Sequence, residues 1–375
     1  MSTDVLAIAD AVRSARARAA TLRIVGGGNW MDAGQGCTAA EPLSLAGLHG
    51  IVSYEPGDLT LTARAATSLS DIARVTASEN QWLTLDPAGS QDGTIGATVA
   101  TAASGPLASA FGTPRDHVLG CEFVSGTADV VRAGGRVVKN VAGFDLTRLV
   151  TGAWGTLGAL TEVTVRLRAR PEVDVTLALN VADAGAAWRF TRATEYKPYT
   201  AEFVSPSLAQ RLTGSRDACL LVRLGGNASF VRAAQSAVVA LGDVQPVASS
   251  VWNDLAMAEP SGAVVFRAST LPSNVGALVA RLADTAEALG GFTHATLTRG
   301  IVRCVLPSPG DNASFEHLRS TLSAFNREFT IVGERMPVAL WNIIACVGST
   351  VALADGVRRA FDPDHIMNPG ILGGA

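Results

Sequence analysis

The chain predicts an α+β fold built from two domains, and three observations carry that prediction. At 375 residues it is longer than one ordinary domain. Between residues 20 and 168, strand-like segments follow one another without the strict strand–helix alternation of a doubly wound parallel sheet. Beyond residue 171 a strand–helix–strand–strand–helix pattern occurs twice. With 48% hydrophobic and 17% charged residues, the chain can bury cores of that size.

The elements follow in order. Val5, Ile8, Ala9 and Val12 have helical spacing, and basic residues toward position 18 suit the negative end of a helix dipole. Residues 21–25 form a strand that runs into Gly26-Gly27-Gly28. Residues 51–54 and 59–63 are strands, the second with clear alternation. Ser68 followed by Asp71 is a capping pattern, and Leu69, Ile72, Ala73 and Thr76 continue it as a helix. Strands are expected at 123–125, 130–132, 136–139 and 160–167, with Gly134-Gly135 as a hairpin turn. The pattern changes at Pro171, which places a first domain at 1–171 and a second at 172–348.

In the second domain one copy of the repeat has strands at 175–181, 201–205 and 218–224 with a helix at 184–194. The other has strands at 264–268, 292–297 and 301–306 with a helix at 274–289. Each copy continues into Asn-Ala-Ser-Phe, at 227–230 and 312–315, before an apolar helical stripe. The stripes are Phe230, Ala234, Val238, Leu241 and Phe315, Leu318, Leu322, Phe325. Duplicated units of this kind form a ferredoxin-like arrangement, while the shared tetrapeptide is open to a reading as independent capping chemistry.

Bulk properties exclude several classes. A formal net charge of -3 gives no basis for nucleic-acid binding. The mean hydropathy of +0.27 comes from short apolar segments, none near the roughly 18–20 residues that span a bilayer, so a soluble protein is expected. Met1-Ser2-Thr3-Asp4 lacks the start of a signal peptide, which points to the cytoplasm. Cys37, Cys121, Cys219, Cys304 and Cys346 are far apart, with no metal or redox spacing, and are expected as free thiols.

Three glycine-rich segments carry the candidate chemistry. Gly26-Gly27-Gly28 follows a strand and precedes Asn29, so successive N–H groups can converge on a pyrophosphate; a plain turn is the alternative. It does not have the Rossmann spacing. The stretch 87–106, with Gly89, Thr94, Ile95, Gly96, Thr101, Ser104 and Gly105, has few large side chains. It suits either a flat ring or phosphate close to backbone, or a small-residue helix packed on a sheet. Gly152, Gly155 and Gly158 lead into a strand and allow close approach or simply a turn.

Together these segments resemble the FAD-binding domain of the vanillyl-alcohol oxidase/PCMH flavoprotein superfamily. Within it the resemblance is to the E-subunit group of bacterial glycolate oxidase (glycolate dehydrogenase). The most specific stretch is 134–149, reading GGRVVKNVAGFDLTRL, continued by Gly155-Thr156-Leu157-Gly158. The segment 361–370, reading FDPDHIMNPG, matches the C-terminal signature of that superfamily. The resemblance implies a PCMH-type two-part FAD-binding domain, a ferredoxin-like cap domain, and a segment 349–375 that returns to the flavin.

It also implies roles. Val25, Gly26, Gly27, Gly28, Asn29 and Trp30 would wrap the pyrophosphate. Gly89, Thr94, Ile95, Gly96, Thr101, Ser104 and Gly105 would line the phosphate and flavin side. Gly155, Thr156, Gly158, Thr161 and Glu162 would lie near the nucleotide end, and Asn368 would face the isoalloxazine. Two departures matter. Val25 stands where such proteins often have Arg, and Asn29-Trp30 stand where some have the histidine of a covalent flavin, so noncovalent FAD is expected.

Catalytic members of the superfamily oxidise 2-hydroxy acids with a His-rich Gly-Asp-Gly-Asn motif and often a metal. The corresponding stretch here, 293–303, keeps one histidine, His294, with no carboxylate beside it in sequence, so no metal site is expected. Arg299 and Arg303 could bind a carboxylate, though surface strand arginines are the default. Lys139, Arg148 and His294 remain weak catalytic candidates, with structural ion pairs or a structural histidine as the alternatives. The implied function is an FAD-binding subunit of a complex that oxidises glycolate to glyoxylate. A sister FAD-binding catalytic subunit and an iron–sulfur subunit would be its partners, with any membrane association peripheral and through them. A standalone 2-hydroxy-acid dehydrogenase and a noncatalytic scaffold are the competing readings.

Overall fold

The computed structural model describes residues 3–37, 40–135, 145–193, 195–344 and 352–373. The strand expected at 136–139, Lys139, Cys346 and most of the 134–149 phrase lie outside them. The chain divides into two compact units: Met1–Ser104, Gly112–Arg170 and Ser349–Ala375 form one, Gly105–Phe111 and Pro171–Gly348 the other.

The first unit is built on a five-stranded antiparallel sheet in the order Ile51–Glu55, Thr60–Arg64, Gly158–Arg166, Val118–Ser125, Val130–Gly134. Side chains alternate between its faces, so each strand feeds two cores. One face buries Leu61, Ala63, Phe123, Val163 and Val165 against Ile72, Ile95 and Val99, which come from the helices Leu69–Ala77 and Ile95–Thr101. The other buries Val124 and Ala159 with Val5, Ile8, Ala9 and Val12 of the helix Thr3–Ala17. Each such aliphatic or aromatic side chain is worth about 1.5–3 kcal/mol of burial. Ser68 caps its helix as the sequence suggests, its Oγ accepting from Asp71 N–H at 3.0 Å. Gly134 ends a strand rather than turning a hairpin, and the observed hairpin turns at 126–129.

A short strand, Leu22–Val25, pairs in parallel with Glu41–Ser44 on one side. On its other side the C-terminal segment is bonded to it. Leu22 N–H donates to the Ile366 carbonyl at 2.7 Å, and Asn368 N–H donates to the Leu22 carbonyl at 2.8 Å. Residues more than 340 positions apart thereby share one small sheet.

The second unit holds an eight-stranded sheet whose pairings are all antiparallel. Its order is Val244–Val247, Val173–Asn180, Cys219–Gly226, Thr200–Val204, Phe292–Thr296, Ile301–Leu306, Val264–Ser269, Thr330–Arg335. That is strand order 4-1-3-2 followed by its mirror, two βαββαβ units meeting at their second strands. The duplication therefore holds, with a fourth strand in each copy beyond those expected. The shared tetrapeptide does not mark equivalent positions. Asn227 caps its helix by accepting from Phe230 N–H, whereas the second copy is capped by Asp311, which accepts from Ser314 N–H. Leu241 leaves the stripe, lying exposed past the end of Ala228–Val239.

Candidate functional site

The first unit contains a cleft with about 760 Å³ of empty space, part of it open to solvent. Arg23 and Ile24 of the strand Leu22–Val25 line it, as does the glycine loop that follows. Gly26, Gly27, Gly28, Asn29 and Trp30 all line it, together with Thr94, Gly96, Thr101, Gly155, Gly158 and Asn368. The three glycine-rich segments and the C-terminal segment, distant in sequence, are thus brought together.

The glycines are needed by the geometry. A Cβ on Gly26 would stand 3.0 Å from Thr94 Oγ1, and one on Gly27 3.2 Å from Thr94 Cγ2. Gly28 has φ +80° and open space beyond it. Among the described residues, the N–H groups of Gly26, Gly27 and Gly28 make no hydrogen bond. Successive uncommitted N–H groups on a glycine turn form a nest for an anion. Within the 87–106 stretch, one helix both packs on the sheet and lines the cleft. Thr94 caps the helix Ile95–Thr101 by accepting from Ala97 N–H at 3.2 Å. Ile95, Thr98 and Val99 are buried, while Ala97, Ala100 and Thr101 face the cleft. Gly96 serves close packing, since its Cβ would fall 2.7 Å from Ala65.

The third segment turns sharply. Gly152, Trp154 and Gly155 have φ of +83°, +54° and +71°. A Cβ on Gly155 would meet Asn368 Nδ2 at 2.7 Å. Asn368, buried and itself at φ +43°, ties the site together: its Oδ1 accepts from Ile24 N–H at 2.8 Å and its Nδ2 donates to the Trp154 carbonyl at 2.7 Å. Trp154 meets Trp30 edge to face, centroids 6.4 Å apart, so two indoles wall one side.

Sequence reasoning missed Arg23, Ile24, Met31, Leu45, Ala65, Ala97, Ala100, Trp154, Leu160 and Ile371 as lining residues. Strand alternation and helical spacing around the glycine segments were the available signal for several of them. Other expected residues do not line the cleft. Val25 is a strand residue whose carbonyl accepts from Leu45 N–H. Gly89 lies in the loop before the helix, at φ +101°, and Ser104 ends its own segment of the first unit. Ile95 is in the core, Thr156 is buried with its hydroxyl on the Ala153 carbonyl, and Gly105 groups with the second unit.

Thr161 is buried, donating to Glu122 Oε1 at 2.8 Å. Glu162 stands in a row of charges across four strands, Arg64, Glu162, Glu122 and Arg132. Like charges directly opposite oppose each other. Burial first and Glu122 second hold the Glu162 carboxyl above the ordinary carboxylate range, against Arg132 and Arg64. A raised native value means this group's contribution to stability is present below its unfolded pKa, about 4.3, and is lost as pH rises through the native one. Glu162→Gln is therefore expected to raise the Tm at pH 8, the two proteins converging as pH falls toward 4. Equal melting curves at pH 8 would count against this account.

The catalytic candidates fare differently. Arg148 is exposed on the helix Leu146–Val150 and pairs with Asp145 at 3.4 Å, away from the cleft. His294 is in the second unit, and although no carboxylate stands beside it in sequence, another strand brings one to it. Glu202, on the neighbouring strand and fully buried, accepts from His294 Nδ1 at 2.6 Å. Arg303, directly opposite His294 in the next strand, is no surface arginine. It is bonded to Glu259 and sits 2.5 Å from Glu334, while Arg335 is 3.5 Å from Glu259. Burial opposes the Arg303 charge, but the two carboxylates outweigh it and hold its pKa above the ordinary value. Burial alone would raise Glu259; Arg303, Arg335 and His294 bring it below. These charges pair mainly with one another, although Arg303 Nη2 is buried without a hydrogen-bond partner.

Cys121, Cys219 and Cys304 are buried free thiols and Cys37 is a half-buried one. Among the described residues no helix is long and apolar enough to cross a membrane, and no group of three or more His, Cys, Asp or Glu is placed to hold a metal.

Comparison with known proteins bears on the first unit and the fold. Residues 2–134 match the family model described as FAD binding domain, which indicates FAD as the cofactor of this unit. Glycolate oxidase subunit GlcE of Escherichia coli (strain K12) is 40% identical over 129 residues, 34% of this chain and 37% of that protein. Glycolate oxidase subunit GlcD of Bacillus subtilis (strain 168) is 35% identical over 130 residues, 35% of this chain and 28% of that protein. Mitochondrial D-lactate dehydrogenase [cytochrome] of Arabidopsis thaliana is 45% identical over 86 residues, 23% of this chain and 15% of that protein. The chain thus spans little more than a third of the length of these curated relatives, or less. The structure of 4-ethylphenol oxidase from Gulosibacter chungangensis superposes with a TM-score of 0.75 at 14% identity, covering 98% of this chain and 87% of that one. Alkyldihydroxyacetonephosphate synthase gives 0.67 at 15%, covering 96% and 75%. Both structures share the fold of this chain over nearly its whole length.

Proposed function

We propose that this chain holds FAD noncovalently in its first unit and works as a subunit of a complex that oxidises glycolate, or a similar small 2-hydroxy acid. The observation that carries the reading is the glycine cleft. It offers a nest of uncommitted N–H groups, side walls of small residues and two indoles, and a buried asparagine that fixes the cleft's edges. When bound, the flavin would supply hydride acceptance from the hydroxyl-bearing carbon. Gly26, Gly27 and Gly28 would hold the diphosphate by backbone, and Ala97, Ala100 and Thr101 leave room for a flat ring above their helix. Among the described residues, no His, Cys or Tyr lines the cleft.

The subunit role draws on the similarity to two glycolate oxidase subunits; among the described residues that line the cleft, the charged one is an arginine. A sister flavoprotein subunit would then handle the substrate proton, and an iron–sulfur subunit would take the electrons. One observation favours a second reading, a standalone 2-hydroxy-acid dehydrogenase: Glu202 orients the His294 imidazole at 2.6 Å, as a carboxylate orients a general base. Turnover of glycolate and D-lactate with an artificial electron acceptor separates the two. The FAD-loaded chain is expected to be inactive alone and active with its partner subunits. Full turnover by the chain alone would replace the first reading with the second.

A further inference from the structure

We infer that Arg23 supplies the cationic contact to the FAD diphosphate that Val25 cannot; this rests on the flavin reading above and names a residue for it. Arg23 is the charged residue among those lining the cleft. It is half-buried, and among the described residues it forms no ion pair, whereas seven other arginines of the first unit do. Its guanidinium has two weak contacts, Nη1 to Cys37 Sγ and Nη2 to the Ala33 carbonyl, both at 3.5 Å. The second lies at the long limit for an N–H···O bond, and the first is to a weak, uncharged acceptor. Cys37 offers no negative charge in exchange, since burial pushes its thiol up despite Arg23. A guanidinium taken half out of water without a charged partner is a costly arrangement that an incoming anion would relieve.

Position identifies which anion. Arg23 and Val25 lie two residues apart on one strand, about 7 Å along it. An arginine side chain spans that distance, and the strand ends at the N–H nest of Gly26, Gly27 and Gly28. Backbone donors and one guanidinium would then converge on the same group, and phosphate oxygens match a guanidinium's two parallel donors. The sequence departure at Val25 is thereby compensated one strand repeat earlier.

Equilibrium titration of the purified full chain with FAD, read by flavin fluorescence at low and high salt, tests this. Wild type, Arg23→Gln and Arg23→Lys are compared, with apoprotein melting curves for each. The glutamine variant is expected to bind FAD at least tenfold more weakly, with a shallower salt dependence and an unchanged apoprotein Tm; lysine should recover part of the affinity. Wild-type binding with Arg23→Gln binding equally well would overturn the proposal, as would a loss of affinity that is the same at both salt concentrations. If the wild type itself does not bind FAD, the flavin reading fails before the role of Arg23 is reached.

Discussion

Gly27→Asp is expected to weaken FAD binding by about 100-fold or more while leaving the protein folded. An added Cβ there would press on Thr94 Cγ2 at 3.2 Å and lie 3.7 Å from the Asp92 carbonyl, so the new side chain must turn into the cleft. A carboxylate would then occupy the space beside the N–H nest. Two like charges about 4–5 Å apart near a protein surface repel by roughly 3 kcal/mol, which is about two powers of ten in affinity. Gly57→Asp is the matched control. It adds the same charge at an exposed glycine whose Cβ would meet nothing within 4 Å and that has no part in the cleft. Titration with FAD should show normal binding for Gly57→Asp and near loss for Gly27→Asp, at similar melting temperatures. Equal affinities would remove the glycine loop from the site.

The second large effect is on stability. Arg303→Met is expected to destabilise the protein by about 3–5 kcal/mol, because it leaves Glu259 and Glu334 buried without the cation they share. For a unit of this size that is a fall in Tm of roughly 6–20 °C. Adding Glu259→Gln to Arg303→Met should recover much of the loss, since the penalty lies in the stranded charge rather than in the missing contact. A single variant that melts with the wild type would show that the network contributes nothing net. The same result would leave Arg303 free for the carboxylate-binding role considered from sequence.

What could be read in the sequence was local. Ser68 and Asp71 announced a capped helix, the alternation at 59–63 a strand, and the doubled strand–helix pattern a duplicated sheet, each a matter of spacing within a few residues. The glycine segments were visible as places where backbone could come close. Their convergence was not, because it depends on Asn368 bonding to Ile24 across 344 positions and to Trp154 across 214. The Glu202–His294 contact was hidden for the same reason: strand register, not sequence distance, sets those side chains together across 92 positions. The small-residue stretch appeared ambiguous because its helix has two faces. A helix with Ile95 and Val99 on one side and Ala97, Ala100 and Thr101 on the other packs a sheet and faces a cleft at once. The tetrapeptide Asn-Ala-Ser-Phe misled in a small way, for it sits one position later on its second helix, where Asp311 provides the cap.

The central claim is that the cleft of the first unit binds FAD without a covalent bond. The most direct measurement is the visible spectrum of the full chain after incubation with FAD and removal of free ligand, followed by denaturation. Both visible flavin bands should stay with the protein at an equimolar ratio, and all the flavin should pass into the filtrate once the chain unfolds. A colourless protein after incubation would contradict FAD binding, and flavin that remains with the denatured chain would contradict its noncovalent attachment.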